Sequence, residues 1–528
     1  MSKFFFVLMV VLVAALSVIG QESRIQIIPK PREIVDGGKL VPLKENNLVY
    51  LDEKSELDKD YIGSLFTDAG VKFQFTASAN KANIQLCKSG DNGVSGSYIL
   101  EVKEKKGTAN IKASAPHREG LIYAVQSVLQ ILKKAESTFN VPVCKVIDAP
   151  EFQWRAYMLD ESRHFHGMKM VKTLLDEMAR LKMNIFHWHL VDDPGWRIEI
   201  KKYPLLTQVG SKRDFSNLHI SAEDWDKTHT ERAYYTQDEI REVVAYAKIR
   251  GIDIIPEIEF PGHASASILA YPWLGTSSRK ENKLVMGDLY NVTDPEVEKF
   301  FQSVLDEVIA LFPFGVLHIG GDEAAHVHWE NSKEVQDFMK ANNLGNCSDL
   351  QLWGINRMSN YLASKSYKMI GWNEITGDNI RNEAHVKAST SGQLAKGTIV
   401  QFWDGDISLV EKAIKKGYDV VNSNRVDTYL DYSYDAIPLE RAYAFNPVPE
   451  GIKDDDKKKI LGLGCQMWGE FIPTTERLYY QTFPRLAAYS EGGWSSHDQK
   501  NYAEFLARFK AVLEPTWKHK GFLINQPY

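Results

Sequence analysis

From about residue 151 onward, the chain alternates short apolar runs with stretches whose apolar positions repeat at helical spacing. Three of the helical stretches are Met168–Leu181, Gln237–Arg250 and Pro295–Leu311. The eight apolar runs are Ala156–Leu159, Asn184–Val191, Asp253–Ile258, Val316–Ile319, Lys368–Gly371, Thr398–Phe402, Asp419–Val421 and Ile460–Gln466. Repeated strand–helix units predict a parallel sheet, and eight of them predict a (β/α)8 TIM barrel over residues 151–528.

A smaller domain precedes the predicted barrel. Residues 97–102 and 109–113 alternate apolar and polar positions, and Lys105-Lys106-Gly107 between them is typical of a turn. Residues 120–134 then have helical spacing, and Ala149-Pro150 marks a boundary. The expected fold class is therefore α/β, with an α+β domain over residues 21–150 followed by the barrel.

The N-terminal residues 1–20 have the pattern of a secretory signal peptide, with one Lys, an apolar run and a polar break. No other stretch is long and apolar enough to span a membrane, so no membrane anchor is expected. Asn291 and Asn346 begin Asn-x-Ser/Thr sequences and are predicted glycosylation sites. Both the lysosome and the extracellular medium fit this pattern.

The four cysteines are too few for a disulfide framework, although export allows pairing. Cys87 and Cys144 lie in the same N-terminal segment and are the favoured pair. Cys465 lies in an apolar run and is expected to be a buried thiol, whereas Cys347 is not assigned. The formal net charge of −6 shows no basic footprint for nucleic acid.

Unusual side chains follow the predicted strands. The carboxyl ends of barrel strands build the active site, whereas ordinary surface turns would carry Gly, Asn, Ser or Lys. Acids, histidine and aromatic residues stand at these ends instead. They are Asp160, Asp192, Asp193, Glu257, Glu259, His263, Asp322, Glu323, Trp372, Trp403, Tyr429, Asp431, Trp468 and Glu470. The pattern predicts a functional cleft rather than solvated turns.

The most informative motif is His318-Ile319-Gly320-Gly321-Asp322-Glu323. Two glycines permit a tight turn directly after the fourth apolar run, and the turn presents two adjacent carboxylates. Such a pair suits a reaction in which one carboxylic acid donates a proton while its neighbour stays ionised. Since the two acids are neighbours, they are not expected to flank a bond as acid and nucleophile.

Other chemistries fit less well. His187 and His189 are spaced for one face of a strand, but a transition metal needs three or four convergent ligands and no His-Glu-x-x-His pattern exists. The histidines are expected to hydrogen-bond to the carboxylates. Neither a Gly-rich phosphate loop nor a Gly-x-Ser-x-Gly elbow occurs in the barrel segment. No metal and no cofactor are therefore expected.

At these residues the chain resembles the family 20 glycoside hydrolases, the β-N-acetylhexosaminidases, across nearly its whole length. The motifs that carry the resemblance are Arg155 with Met158–Asp160 and Arg163–Phe165, His187–Leu190 with Asp192-Asp193, Pro256–Ile258 with Pro261–His263, His318–Glu323, Gly371–Glu374, and Trp468–Glu470. The resemblance implies an exo-acting enzyme that releases terminal N-acetylglucosamine or N-acetylgalactosamine. The choice between these two sugars stays open.

The resemblance also implies a retaining mechanism in which the substrate's 2-acetamido oxygen attacks the anomeric carbon. Glu323 is implied as general acid and then base, and Asp322 as the residue that orients the acetamido group. The implied substrate-binding residues are Tyr429 at the acetamido oxygen, Trp372, Trp403 and Trp468 around the sugar, Arg155, Asp431 and Glu470 at its hydroxyls, and Asp192 and His263 behind Glu323. Whether Asp192 or Asp193 supports Glu323 is left open.

Three features depart from the family's usual pattern. Pro194 follows Asp193, Glu259-Phe260 replaces a frequent Asp-Met, and His326-Val327-His328 stands where lysosomal members have a cysteine. Two other readings remain: a secreted carbohydrate-binding protein on the same barrel, and an endo-acting chitin hydrolase. A homodimer is usual among similar lysosomal enzymes and is a possibility here.

Overall fold

A computed structural model describes residues 24–90, 92–136, 138–215, 232–378 and 393–526. The predicted signal peptide at residues 1–20 lies outside these ranges. Eighteen strands occur in the described residues. They are β1 Glu33–Pro42, β2 Asn47–Leu51, β3 Phe73–Phe75, β4 Ile84–Lys88, β5 Tyr98–Lys105, β6 Thr108–Ala115, β7 Lys133–Lys134, β8 Phe139–Asp148, β9 Trp154–Asp160, β10 Ile185–His189, β11 Val191–Asp192, β12 Gly195–Trp196, β13 Asp253–Glu257, β14 Val316–His318, β15 Lys368–Trp372, β16 Ile399–Phe402, β17 Asp419–Asn422 and β18 Ile460–Met467.

The α-helices of the same residues are α1 Lys59–Asp68, α2 Arg118–Ile131, α3 Met168–Arg180, α4 Leu205–Gln208, α5 Gln237–Ile249, α6 Ser265–Ala270, α7 Ser277–Glu281, α8 Pro295–Ile309, α9 Val327–Glu330, α10 Lys333–Ala341, α11 Cys347–Ser364, α12 Ser408–Lys415, α13 Arg425–Thr428, α14 Leu439–Ala444, α15 Asp454–Lys457, α16 Thr475–Thr482, α17 Arg485–Trp494 and α18 Tyr502–His519. Short 3₁₀ turns cover Glu53–Ser55, Pro272–Leu274, Asn373–Thr376 and His497–Gln499. In the part of the chain described, no helix combines the length and hydropathy that a membrane crossing requires.

The N-terminal domain is one mixed sheet with helices packed against it. Its strand order is β1-β8-β5-β6-β4-β2-β3, and β7 pairs with β8. Strands β5 and β6 form the predicted hairpin around Lys106 and Gly107, both of which have positive φ. Helix α2 buries Leu121, Ile122 and Val125 against the sheet. The predicted α+β unit ahead of the barrel is confirmed.

Cys87 and Cys144 do not form the predicted disulfide, and the thiols of both are free. Cys87 lies on β4 and Cys144 on β8, with β6 and β5 between them in the sheet. Three strand spacings of about 4.8 Å separate the two strands, far more than the ~7 Å that a disulfide spans between Cα atoms. The pairing inferred from their shared segment is therefore wrong.

The second domain is a closed barrel of eight parallel strands in the order β9-β10-β13-β14-β15-β16-β17-β18. Each strand overlaps one of the eight predicted runs, so the TIM barrel is confirmed. The capping box that begins α5 forms as its sequence indicates, with Thr236 and Glu239 exchanging hydrogen bonds. Asp294 precedes helix α8 as its N-cap, and its side chain accepts a hydrogen bond from Glu296 N.

An apolar layer closes the amino end of the barrel. Ile185, Ile255, Val316, Ile370 and Val421 are buried together there. Alternate residues of a strand point to the same face, so Ile185, His187 and His189 of β10 share one face. They follow one another toward the carboxyl end of the strand. The interior thus changes from apolar to polar toward the carboxyl ends of the strands, and only that end can carry chemistry.

An ion pair buried between the two domains fixes their contact. Lys182 Nζ, after α3, lies 3.0 Å from Asp148 Oδ2 at the end of β8, and both side chains are fully buried. Tyr98 donates to the same carboxylate oxygen, and Trp494 Nε1 donates to Oδ1. Because both carboxylate oxygens accept hydrogen bonds, the cost of burying the charges is offset.

The two predicted glycosylation sites differ in accessibility. Asn291 is 1% exposed, and its Oδ1 accepts a hydrogen bond from Thr293. A glycan on this buried amide has no room, so the structure contradicts that prediction. Asn346 is half-buried and caps α11 through Oδ1, and its glycosylation stays a prediction.

Candidate active site

The turn after β14 presents the two adjacent acids. Gly320 and Gly321 have φ of +65° and +97°, in the left-handed region that favours glycine. A Cβ at Gly320 would lie 1.7 Å from Glu259 Oε2, and one at Gly321 would lie 2.6 Å from Ile375. Both glycines are therefore required for Asp322 to reach the barrel mouth.

Neighbouring elements hold this turn in place. Trp372 N donates to Gly320 O at 2.9 Å, and Gln351 Nε2 on α11 donates to Gly321 O at 3.0 Å. The Gln351 Oε1 atom in turn pairs with His326 Nε2 at 2.7 Å. Sequence reasoning missed Gln351, because nothing in an amphipathic helix distinguishes a buried glutamine that contacts a distant carbonyl.

Asp322 and Glu323 face the same pocket with different exposure. The Asp322 side chain is 9% exposed and that of Glu323 is 33% exposed. Glu323 has φ of +45°, which is uncommon for a residue with a Cβ and indicates a conformation imposed by its surroundings. Glu323 therefore lies nearer to the solvent than Asp322.

His263 links these acids to a second acidic pair. Its Nε2 lies 3.7 Å from Asp322 Oδ2 and 3.9 Å from Glu323 Oε2. Its Nδ1 lies 3.3 Å from Asp192 Oδ1 and 3.2 Å from Asp193 Oδ2. Sequence reasoning left open which aspartate supports the site, and the structure brings both to His263.

The charges around His263 decide its protonation. Burial lowers the pKa of His263, but the nearby carboxylates of Asp192, Asp193 and Asp322 outweigh burial and raise it well above the usual range. For Asp192, burial raises the pKa, yet Arg163 and His263 outweigh it and hold it well below the usual range. A protonated imidazole thus stands between two ionised aspartates and the acidic turn.

Glu257 anchors the floor beneath this network. His189 Nδ1 donates to Glu257 Oε2 at 2.5 Å, and His187 Nε2 lies 2.9 Å from the same oxygen. His318 Nδ1 and Trp372 Nε1 lie 2.8 Å and 2.9 Å from Glu257 Oε1. These contacts explain the spacing of His187 and His189, which share one strand face as predicted.

Three groups of side chains bring metal-ligating atoms within 4.8 Å: His187, Glu257 and His318; His189, Glu257 and Glu259; and Asp192, Asp193 and His263. In the first, nitrogen–oxygen separations of 2.8–2.9 Å are hydrogen-bond distances, shorter than the roughly 3.3 Å between ligands of a tetrahedral zinc ion. In the third, the Arg163 guanidinium already lies 2.8 Å from Asp192. The geometry suits hydrogen-bonded networks that orient carboxylates.

Two further buried acids flank Asp322, and neither had an assigned role in the sequence. Burial and the Asp322 charge raise the pKa of Glu259 well above its usual range. The same two causes raise the pKa of Glu374 well above its range. Burial beside Asp322 thus favours the protonated form of both side chains, which limits the negative charge packed around Asp322.

Aromatic rings wall the pocket. Trp372 is fully buried at its inner end, with ring centroids 6.3 Å from Trp403 and 5.8 Å from Trp468. Tyr429 stacks parallel to Trp403 at 6.3 Å. Trp403 Nε1 donates to both carboxylate oxygens of Glu374, which fixes the indole. The structure brings together all four predicted aromatic residues.

Arg163 forms the polar side of the pocket. Its guanidinium lies 3.1 Å from Asp160, 2.8 Å from Asp192 and 3.7 Å from Glu470, and it lies over the Trp468 ring at 5.1 Å. Arg163 belongs to a motif noted in the sequence, but no role was predicted for it. Its place just after the carboxyl end of β9 was the available signal.

Arg155 does not reach the pocket, so its predicted role at the sugar hydroxyls is wrong. It is the second residue of β9, whereas Asp160 is the last, about 16 Å along the strand. The buried Arg155 guanidinium donates to Lys182 O, Phe152 O and Tyr123 Oη. The arginine therefore joins the amino end of the barrel to the N-terminal domain.

A pocket of about 210 Å³ lies at the carboxyl end of the barrel. Its lining residues are Arg163, His263, Asp322, Glu323, Trp403, Arg425, Tyr429, Asp431, Tyr432, Trp468, Glu470 and Phe471. Adjacent acids and indole rings thus meet at the carboxyl end of a TIM barrel, which is the arrangement expected of a barrel enzyme that acts on carbohydrate.

Comparison with known families agrees with this class. The family model for "Glycosyl hydrolase family 20, catalytic domain" matches residues 152–497, and that for "domain 2" of the same family matches residues 24–149. The chain belongs to glycosyl hydrolase family 20.

Several relatives of this chain are named beta-hexosaminidase. A "Beta-hexosaminidase" from Porphyromonas gingivalis is 35% identical over 433 residues, and one from Vibrio furnissii is 35% identical over 416 residues. These alignments cover 78% and 75% of this chain but 52% and 65% of the relatives. The chain thus spans between half and two thirds of their length.

Solved structures of the family share the fold over nearly the whole chain. The β-N-acetylhexosaminidase of Bacteroides fragilis has a TM-score of 0.79 at 26% identity and covers 95% of this chain and 97% of its own. A Vibrio harveyi GH20 exo-β-N-acetylglucosaminidase in complex with N-acetylglucosamine has a TM-score of 0.82 at 30% identity, covering 96% and 79%.

Proposed function

We propose that the chain is an exo-β-N-acetylhexosaminidase that releases terminal, non-reducing N-acetylglucosamine or N-acetylgalactosamine from glycans and glycoconjugates. The observation that carries the proposal is the Asp322-Glu323 turn at the mouth of an indole-walled pocket. The names of the relatives support it, as does the Vibrio harveyi structure in complex with N-acetylglucosamine.

The reaction we propose is substrate-assisted and retaining. The acetamido oxygen attacks the anomeric carbon while Glu323 donates a proton to the glycosidic oxygen, and an oxazolinium ring forms as that bond breaks. Glu323 then takes a proton from water, which attacks the anomeric carbon and opens the ring. The charged His263 beside Glu323 favours the carboxylate that the first step, proton donation to the glycosidic oxygen, leaves behind.

Asp322 and Tyr429 would hold the acetamido group. Asp322 Oδ1 is buried and has no hydrogen-bond partner within the described part of the protein, so an amide N–H of the substrate would satisfy it. Burial raises the pKa of Tyr429 well above its usual range, which keeps the phenol a donor for the acetamido oxygen. The rings of Trp372, Trp403 and Trp468 would exclude water around it.

Arg163, Asp431 and Glu470 would bind the hydroxyls of the sugar. Asp431 Oδ1 is buried without a partner in the described residues, and the Glu470 side chain is 29% exposed at the pocket. A carboxylate and a guanidinium offer strong acceptors and donors to hydroxyl groups. In this proposed set of hydroxyl-binding residues, Arg163 takes the place of Arg155.

The test is Glu323→Gln, with Glu330→Gln as the matched control because Glu330 is exposed on α9. Removing a general acid costs roughly 10²–10⁴-fold in rate. Hydrolysis of an aryl N-acetyl-β-glucosaminide should fall by that factor only in Glu323→Gln. Near wild-type turnover in this variant would refute the role of Glu323.

A second substrate tests the substrate-assisted scheme. An aryl β-glucoside lacks the acetamido group and should be nearly inert with the wild-type protein. Brisk cleavage of the glucoside would refute the scheme, and Asp322→Asn should lose most activity on the acetamido substrate. The products of a chitin oligomer separate the modes of attack, since single sugar units indicate exo action and longer fragments indicate endo action.

We also propose that the chain enters the secretory route and acts in a lysosome-like compartment or outside the cell. The pattern of residues 1–20 and the half-buried Asn346 support this. N-terminal sequencing of the mature protein tests the cleavage. The proposed homodimer rests on the family resemblance alone, and sedimentation equilibrium tests it.

A further inference from the structure

Phe471 is a large apolar side chain left in solvent beside the pocket. It is 71% exposed, more than the other exposed large hydrophobic residues of the described chain. Burial of so small a fraction of the ring contributes little to folding. Phe471 follows Glu470 directly and lines the same pocket as Glu323 and Trp468. Its position points to contact with a ligand.

The backbone that carries Phe471 is fixed. Ile472 N donates to Gly469 O at 3.1 Å, which makes Phe471 part of a tight turn, and Ile472 itself is fully buried. Gly469 N donates to Asp160 Oδ2 at 2.8 Å, and His164 Nδ1 donates to Gly469 O at 2.6 Å. The same residues that frame the pocket thus hold the exposed ring.

A second ring supports the first. Phe215 packs edge-on against Phe471 with centroids 5.6 Å apart and an interplanar angle of 75°. Phe215 is itself 38% exposed, and its N–H donates to Arg163 O at 2.9 Å. Both rings are therefore anchored to the polar side of the pocket, at its outer end, while Trp372 closes the inner end.

We propose that Phe471 and Phe215 form an aromatic platform that binds the sugar next to the released residue. This inference rests on the proposed function, in which the leaving group extends from Glu323 toward the mouth. A pyranose presents an apolar C–H face that packs on an aromatic ring. The platform therefore selects substrates in which the N-acetylhexosamine is linked to another sugar.

The first experiment compares kcat/KM for N,N'-diacetylchitobiose with kcat/KM for methyl N-acetyl-β-glucosaminide, which has no second sugar. Phe471→Ala should lower the disaccharide-to-methyl ratio about 3–10-fold, through KM of the disaccharide, because one ring contact is lost. Phe471→Tyr should keep the wild-type ratio, and Phe215→Leu should lower the ratio less than Phe471→Ala does. Val94→Ala, which shortens an exposed side chain in the N-terminal domain, should leave it unchanged.

Equal losses on both substrates in Phe471→Ala, or no loss on either, would overturn the platform. A binding experiment separates this failure from failure of the proposed function. Calorimetry in a Glu323→Gln background should show that the disaccharide binds more tightly than N-acetylglucosamine, and that Phe471→Ala removes the difference. If the disaccharide does not bind more tightly than N-acetylglucosamine, the proposed platform is refuted. If the wild-type protein shows this preference but has no hydrolytic activity, only the proposed activity is refuted.

Discussion

His263 and Glu323 lie side by side in the pocket, with Nε2 of the imidazole 3.9 Å from Oε2 of the carboxylate. Because Asp192 and Asp193 keep the imidazole charged, Glu323 works beside a fixed cation. Such a cation favours the ionised carboxylate and so limits the pH range in which Glu323 can act as the proposed general acid.

His263→Asn should move the basic limb of the pH–rate profile to higher pH, since asparagine carries no charge. We expect kcat/KM to fall roughly 10–100-fold as well, because the support behind the general acid is lost. Profiles of kcat/KM on an aryl N-acetyl-β-glucosaminide measure both effects. His328→Asn makes the same change at a half-buried residue that contacts Ser277, and its profile should match wild type. A basic limb that stays in place in His263→Asn would show that the cation does not govern proton donation.

Arg155 on the first barrel strand and Arg163 just after that strand should respond differently to Arg→Lys. Lysine keeps the charge but loses the planar fork. Arg163→Lys should raise KM about tenfold, because Arg163 contacts the pocket acids and Trp468. Arg155→Lys should lower the melting temperature with KM unchanged, since its donors hold Lys182 and Phe152 carbonyls.

Steady-state kinetics and calorimetric melting on the same preparations compare the two variants. A raised KM in Arg155→Lys with an unchanged melting temperature would reverse the assignment made from the structure.

The barrel could be predicted from the sequence because each strand carries its own local signal. Apolar runs such as Val316–Ile319 are followed by acidic or aromatic residues that are unusual in surface turns. The parallel topology of the barrel brings the ends of these runs together. Arg155 shows the limit of this reasoning. A motif contains both Arg155 and Arg163, and the structure shows that Arg155 lies near the amino end of β9 whereas Arg163 follows its carboxyl end, where the pocket is.

Contacts between distant segments could not be predicted. Cys87 and Cys144 lie in the same N-terminal segment, but the order of strands in the sheet separates them. Gln351 touches Gly321 only because α11 packs beside the turn. The raised pKa values of Glu259 and Glu374 come from burial and the charge of Asp322, which no local pattern encodes.

Gln351 should act as a positioning residue for the acidic turn. Gln351→Met keeps the volume but removes the hydrogen bond to Gly321 O and the partner of His326. Small displacements of a catalytic group cost up to about 10²-fold in rate, so we expect kcat to fall about tenfold with little change in KM. Steady-state kinetics measure this split.

The matched control is Gln336→Met on α10, where the amide contacts Trp329 O outside the pocket. Its kcat should stay at the wild-type value. An equal fall in both variants would indicate a general effect of losing a glutamine contact rather than a role in holding the turn.

Asp431 gives the protein a pH-dependent stability. Burial, and then the charge of Glu470, raise its pKa to about 7, whereas an unfolded aspartate titrates near 3.9. Between these values the folded state holds the proton and the unfolded state releases it. The contribution of this group is therefore fully present below about pH 4 and is lost as pH rises to 7.

Asp431→Asn has no proton to lose, so relative to wild type its melting temperature should rise by a few degrees between pH 5 and pH 8. Its KM should increase, because an amide replaces the carboxyl group proposed to bind the sugar hydroxyls. Differential scanning calorimetry at the two pH values measures the first effect. Asp435→Asn, at an exposed acid nearby, should follow the wild-type pH dependence. Parallel curves for wild type and Asp431→Asn would mean that Asp431 is already ionised in the folded protein at pH 5.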